Sequence, residues 1–173
     1  LFIDNNKKKI ASNYSSNNKK NIIIGAGSSG PTTKWGGSNY INLIIKLQEK
    51  CECYFFILAG PEEKKIVDEI VNKVGEQYAI SLANKNIKEI ISIIASVDMY
   101  IGNDSFGQHI ACQIGKPSII LLLDTPSAYS EYSKNQHRIL PEGASIKDIS
   151  HNSSFDPNTI KVETVLNKAL LYL

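Results

Sequence analysis

The sequence predicts an α/β fold, a parallel sheet with helices on both faces. Three observations predict it. Short apolar runs rich in β-branched and aromatic residues, such as 21–24, 53–58 and 118–123, alternate with longer stretches whose apolar residues recur at helical spacing. That alternation repeats about five times with short connectors, the pattern of consecutive strand–helix units. Apart from Asn21 and Ser118 the runs are apolar, as strands covered on both faces are.

At 173 residues the chain has the length of one ordinary domain and can bury a real core. A net charge of +2 is too small to imply nucleic acid as a partner, and the lysines are spread as on a solvated surface. Cys51, Cys53 and Cys112 are odd in number and lack the spacing of a zinc site or a disulfide framework. They read as buried free thiols of a reducing compartment, with Cys51 and Cys53 on one face of a strand. No run reaches the roughly 18 apolar residues of a membrane span, and no signal-peptide pattern is present. The expected location is cytoplasmic, compatible with a peripheral position at the inner membrane.

Residues 1–20 begin with Leu1 and are rich in Asn, Lys and Ser, which predicts a linker or mobile segment and a piece of a longer polypeptide. Residues 21–173 are expected to be the folded domain. The first strand covers 21–24 and ends at Gly25; a long Gly/Ser/Thr loop follows, with Ser38 as cap of a helix bearing Tyr40, Ile41, Leu43, Ile44 and Leu47. A second strand, 53–58, turns at Ala59-Gly60-Pro61 into a helix with Glu62 and Glu63 in its first turn, ending at Gly75. A weaker strand at 78–82 leads to a helix over 87–96 capped by Asn86. The fourth strand spans 97–101, its end reaching Gly102, and a polar turn then opens a helix over 108–114 that Gly115 stops. The fifth strand is 118–123. Residues 124–143 show no clear period, and the amphipathic tail predicts a closing helix started by Asp156-Pro157.

In such a sheet the loops after the first, second and fourth strands emerge on one edge. They bring Ser28, Ser29, Thr32, Thr33 and Lys34 together with Glu62 and Glu63, and with the turn from Asp104 to His109. Hydroxyls, a cation and a helix N-terminus suit a phosphorylated ligand; a carboxylate suits a sugar hydroxyl pair. Taken singly, each residue has a structural reading too. Glu62 or Glu63 can serve the helix dipole, Asp104 and Ser105 a helix cap, His109 the core, and Trp35 packing. Gly25-Ala-Gly27 does not complete a dinucleotide fingerprint, and no phosphate-loop motif is present.

Joined in order, Asp104-Ser-Phe-Gly-Gln-His-Ile-Ala111 and Gly115-Lys-Pro117 resemble the signature of glycosyltransferase family 9, the ADP-heptose:lipopolysaccharide heptosyltransferases. The loop 25–35 resembles the family's glycine-serine loop ending in a basic residue and Trp. Ala59-Gly-Pro-Glu-Glu63 resembles its Gly-Gly-Pro-x-Glu turn, and 82–98 its leucine-bearing loop and helix. The likeness covers about 21–125 and loosens beyond. It implies the C-terminal, Rossmann-like donor-binding half of a GT-B enzyme that transfers heptose or a related sugar, inverting and metal-independent, from a nucleotide-sugar to a glycan or glycolipid acceptor such as lipopolysaccharide core.

By that resemblance the amides of Ser105, Phe106 and Gly107 hold the donor diphosphate, and Asp104 contacts the donor sugar. His109 fixes the loop or touches phosphate, while Lys34, Ser28 and Ser29 neutralise the leaving diphosphate. Glu63 binds the ribose, and Leu82 lies against adenine. The catalytic contributions expected here are those of Lys34 and Asp104; the general base belongs to an N-terminal acceptor domain, without which the chain binds donor but does not turn over. The donor is expected to be ADP-linked, with no further cofactor and no metal. Phe106 stands where the family carries Gly, Thr33 where many members carry a basic residue, and Asp124-Thr125-Pro126 departs from the family's Gly-Pro-Thr-Asp-Pro loop. The alternatives are a non-catalytic nucleotide-binding or regulatory module, another GT-B transferase, or a nucleotide-sugar epimerase.

Overall fold

The computed structural model describes residue 14 and residues 18–28, 34–151 and 153–173. Strands β1 (Lys20–Gly25), β2 (Cys53–Leu58), β3 (Ala79–Ser81), β4 (Met99–Asn103), β5 (Ser118–Leu121) and β6 (Gln136–Ile139) form one sheet, paired in parallel throughout. Helices α1 (Gly37–Gln48), α2 (Lys64–Val74), α3 (Ile87–Ser96) and α4 (Phe106–Gln113) connect the first five strands, and α5 (Val162–Leu170) closes the chain. The strand order is β3-β2-β1-β4-β5-β6. The direction of winding therefore reverses between β1 and β4, and the crevice beyond their C-terminal ends is where such sheets take ligands.

Side chains alternate between two faces along each strand, and both faces are dry. Ile22, Ile24, Phe55, Ile57, Met99 and Ile101 pack with the buried stripes of α1, α2 and α5. Ile23, Tyr54, Phe56 and Tyr100 pack with α3 and Ala111 of α4. This two-sided cover is why the strands read as unbroken apolar runs. Beneath β5 the second face is covered differently: Ile120, Leu122 and Ile149 pack with Leu140, Ile146 and Phe155 from the irregular segment that follows β6.

The main elements form as expected, with corrections at their ends. Gly36, at φ 94°, is the residue before α1, so Ser38 lies inside the first turn and does not cap it. Helix α4 begins at Phe106, two residues early, and ends at Gln113. The third strand shrinks to Ala79–Ser81 at the sheet edge. Val97 ends α3, which moves the start of β4 to Met99. Asp156 caps only a short 3-10 turn, Pro157–Thr159, and α5 starts at Val162. The sixth strand lies within the stretch that showed no period. Its sequence, Gln-His-Arg-Ile, is mostly polar because an edge strand has less to bury.

Trp35 is a packing residue. Its ring is fully buried edge-on to Tyr40, 4.9 Å between centroids, and its indole N–H donates to the Ile160 carbonyl at 2.9 Å. Cys53 and Cys112 are buried thiols, but Cys51 is half-buried. Among the described residues no helix is long and apolar enough to cross a membrane.

Candidate functional site

A cleft of ≈ 860 Å³ opens at the C-terminal edge of the sheet. Gly27, Ser28 and Lys34 from the loop after β1 line one side of it, and the turn 58–63 after β2 forms its floor. Ala83, Lys85, Ile87 and Ile90 wall it beyond β3, and Ser105, Phe106 and Gly107 face it from the start of α4. The order of the chain thus brings four loops to one place because every strand of the sheet runs the same way.

The loops are locked to one another by the residues that end β1 and β4. Gly25 and Gly102 are opposite each other in the register. A Cβ on Gly102 would stand 2.5 Å from the Gly25 carbonyl oxygen, and one on Gly25 would overlap the Tyr100 hydroxyl. The strands can approach there only without side chains. The buried Asn103 amide donates to the Ala26 carbonyl at 3.1 Å and accepts from the Trp35 N–H at 3.2 Å, so it staples both ends of the first loop to β4. The Tyr100 hydroxyl donates to the Asn103 carbonyl at 2.8 Å and meets the Ser105 hydroxyl at 3.0 Å. Burial pushes the Tyr100 phenol well above its ordinary pKa, which keeps it a neutral donor.

Ser105 is the residue before α4, in extended conformation, but its side chain caps nothing. With its hydroxyl turned to Tyr100, it leaves the first-turn amides uncapped by that side chain. Those amides carry the positive end of the helix dipole. Gly107 packs so closely on Leu58 that a Cβ would come within 2.5 Å of it, whereas Phe106 is 45% exposed at the cleft. Together with Ile87, 64% exposed, it gives the cleft an apolar mouth.

Glu63 ties three parts of the cleft together. Its carboxylate accepts from the Ser28 N–H at 3.3 Å and the Gly60 N–H at 3.1 Å, and pairs with the Lys34 ammonium at 2.6 Å. Gly27 makes room for this, since a Cβ there would lie 2.2 Å from Glu63 Oε2. Glu62 is exposed and lines the cleft, without such partners among the described residues. The Ser28 hydroxyl donates to the Asp104 carbonyl at 3.2 Å, joining the first loop to the fourth.

Asp104 contrasts with this. Its side chain is 12% exposed, with the His109 ring nitrogen Nε2 3.5 Å from Oδ1. Among the described residues that oxygen accepts no hydrogen bond. Burial raises the Asp104 pKa, His109 and His151 oppose the rise, and Asp124 adds to it. The other ring nitrogen of His109 meets the Tyr132 hydroxyl, and the two rings stack 5.7 Å apart. Burial also lifts the Tyr132 phenol to about 12. His109 therefore bridges α4 to the segment after β5.

Of the expected site residues, the structure gathers Ser28, Lys34, Glu63, Ser105, Phe106 and Gly107 around one cleft, with Asp104 and His109 adjoining at the α4 end. Ser29 lies outside the described residues, as do Thr32 and Thr33. Leu82 is fully buried in the core with Ile23 and Phe56 and does not face the cleft; Ala83 and Ile87 do. The sequence reading missed Tyr100 and Asn103 as loop anchors and Lys85 as a cleft residue. An asparagine directly after a glycine at a strand end was the available signal for the second of these.

With that geometry in place, comparison with known proteins gives consistent results. The family Glycosyltransferase family 9 (heptosyltransferase) matches residues 1–157. Lipopolysaccharide heptosyltransferase 1 of Campylobacter coli is 34% identical over 93 residues, 52% of this chain and 27% of that protein. The structure of E. coli ADP-heptose lps heptosyltransferase II superposes with a TM-score of 0.75 at 19% identity, over 99% of this chain and 53% of that one. A family 9 glycosyl transferase from Veillonella parvula DSM 2008 gives 0.77 at 19% identity, with the same coverage of both chains. The structural likeness establishes a GT-B-like, Rossmann-like fold. The chain spans about half the length of those two structures.

Proposed function

The chain belongs to glycosyltransferase family 9, and from that premise we propose that it is the donor-binding, C-terminal half of an inverting, metal-independent glycosyltransferase. The donor is an ADP-linked heptose or related sugar, and the acceptor a glycan or glycolipid such as lipopolysaccharide core. An N-terminal acceptor domain supplies the general base. The E. coli neighbour is named an ADP-heptose lps heptosyltransferase and the Campylobacter relative a lipopolysaccharide heptosyltransferase, which is what favours this substrate class.

One observation carries the reading. The first turn of α4, which the Ser105 side chain does not cap, and the Lys34–Glu63 pair face the same cleft at the sheet's switch point. A diphosphate seated on the amides of Ser105, Phe106 and Gly107 gains hydrogen bonds and the helix field. Lys34 swings from Glu63 to the phosphate, where its charge offsets the negative charge that grows as the sugar–phosphate bond breaks. Ser28, beside it, helps orient the group, and Ser29 is proposed to act alongside. Relieved of Lys34, the Glu63 carboxylate accepts from the ribose hydroxyls. Asp104 offers its open oxygen to a donor-sugar hydroxyl, and His109 holds that carboxylate in place. The adenine lies against the apolar wall of Ala83, Ile87 and Ile90, with Leu82 supporting it from beneath. Phe106 narrows the space beside the sugar.

Calorimetric titration with ADP, UDP and CMP tests this. ADP is expected to bind most tightly; absence of binding by all three would overturn the site assignment.

A further inference from the structure

The loop at the other end of the sheet holds a thiol pair that the donor cleft does not use. Cys51 lies just past α1 and Cys53 is the first residue of β2, with only Glu52 between them. Their sulfurs face each other at 2.9 Å. The arrangement is fixed from both sides: the Cys51 N–H donates to the Leu47 carbonyl at 3.0 Å, and the Lys20 N–H of β1 donates to the Glu52 carbonyl at 2.8 Å. A disulfide needs sulfurs about 2.0 Å apart, and these two already approach to 2.9 Å. Accessibility divides the pair, since Cys51 is half-buried and Cys53 only 3% exposed.

We propose that Cys51 and Cys53 form a reversible oxidation site that a small disulfide oxidant such as glutathione disulfide closes to an intramolecular disulfide. The Cys51 thiolate attacks one sulfur of glutathione disulfide, forming a mixed disulfide and releasing one glutathione thiolate. Cys53 then gives up its proton and attacks the Cys51 sulfur; the second glutathione leaves and the Cys51–Cys53 bond forms. Two protein thiols are oxidised and one glutathione disulfide is reduced to two glutathiones. The order follows from access, because the attacked sulfur must be reached from solvent and the resolving one need not be. Burial, together with the Cys51 contact, raises the Cys53 pKa, which suits a thiol that reacts only with its neighbour. A ring closed across one intervening residue restricts the unfolded chain little, so the bond should be easily reduced again. The site sits at the N-terminal end of β2, opposite the cleft, and does not depend on the functional reading.

The test treats the folded chain with glutathione disulfide, quenches with acid, alkylates in denaturant and digests with trypsin. Cleavage after Lys50 and Lys64 leaves both cysteines on the peptide 51–64. That peptide should escape alkylation and be lighter by two hydrogens, dithiothreitol should restore it, and the 4% exposed Cys112 should be alkylated as in the untreated chain. In C53S the mixed disulfide should accumulate at Cys51; in C51S, Cys53 should react at least about tenfold more slowly than Cys51 does in C53S. Glutathione persisting on the wild-type peptide, or both its thiols alkylating as fully as Cys112, would overturn the proposal. Equal rates in the two variants would overturn the order of attack.

Discussion

Two carboxylates stand on either side of Ser28 at nearly the same depth, Glu63 with its side chain 17% exposed and Asp104 with 12%. Their surroundings are opposite. Glu63 accepts two backbone N–H groups and a lysine, whereas Oδ1 of Asp104 accepts no hydrogen bond among the described residues and stands 3.5 Å from the His109 imidazole. Equal burial therefore gives unequal states, because a buried carboxylate is set by its partners rather than by its depth. On the proposed reading, one group is held by contacts that a ligand has to replace, and the other is kept short of contacts that a ligand can supply.

The largest effect should come from disturbing the seat of the satisfied carboxylate. A side chain on Gly27 collides with Glu63 and Ala59, so Gly27→Val is expected to cost about 2–3 kcal/mol of stability by urea unfolding and to weaken ADP more than about tenfold. Removing the carboxylate itself comes next. Glu63→Ala should cost about 2 kcal/mol and weaken ADP about tenfold, yet leave inorganic pyrophosphate at least as tightly bound, since Lys34 is then released. Equal losses for both ligands would show that Glu63 is structural rather than a ribose ligand. Lys34→Ala breaks a half-exposed ion pair and should change stability by less than about 1 kcal/mol. Its loss of ADP affinity, severalfold, should shrink as salt rises.

The smallest effect concerns Asp104, and its sign is the informative part. Folding raises this carboxyl's pKa, so the folded chain holds the proton more tightly than the unfolded chain does. That contribution is favourable below the unfolded value of about 3.9 and is lost as pH rises through the raised folded value. Asp104→Asn should therefore melt above the wild type at neutral pH, with the gap closing as pH falls towards about 4. A lower melting temperature at neutral pH would mean that the carboxylate is already well paired. Bare ADP should bind the variant unchanged, and the sugar-linked nucleotide less well.

The same contrast between regions explains what the sequence made legible. From β1 to β4 the strands are covered by helices on both faces, so apolar runs and helical stripes announce these elements. Beneath β5 one face is covered instead by an irregular segment holding Leu140, Ile146 and Phe155, and β6 lies just before that segment in a stretch with no period to read. At the site, the residue types and the sheet edge were legible because parallel strands send their loops one way. Pairings between loops were not: nothing in the spacing of Lys34 and Glu63 reveals that they hold each other, or that Asn103 ties Ala26 to Trp35. The direction of the Leu82 side chain was not legible either: it is buried in the core, while Ala83 and Ile87 line the cleft.

The central claim is that a nucleoside diphosphate sits on the first turn of α4. Amide chemical shifts measured by NMR during titration with ADP, and separately with adenosine, test it most directly. ADP should produce its largest shifts at Ser105, Phe106 and Gly107, and adenosine should leave those three nearly unmoved while shifting the Ala83–Ile87 wall. Shifts from ADP that bypass the α4 turn, or that adenosine reproduces there, would contradict the account.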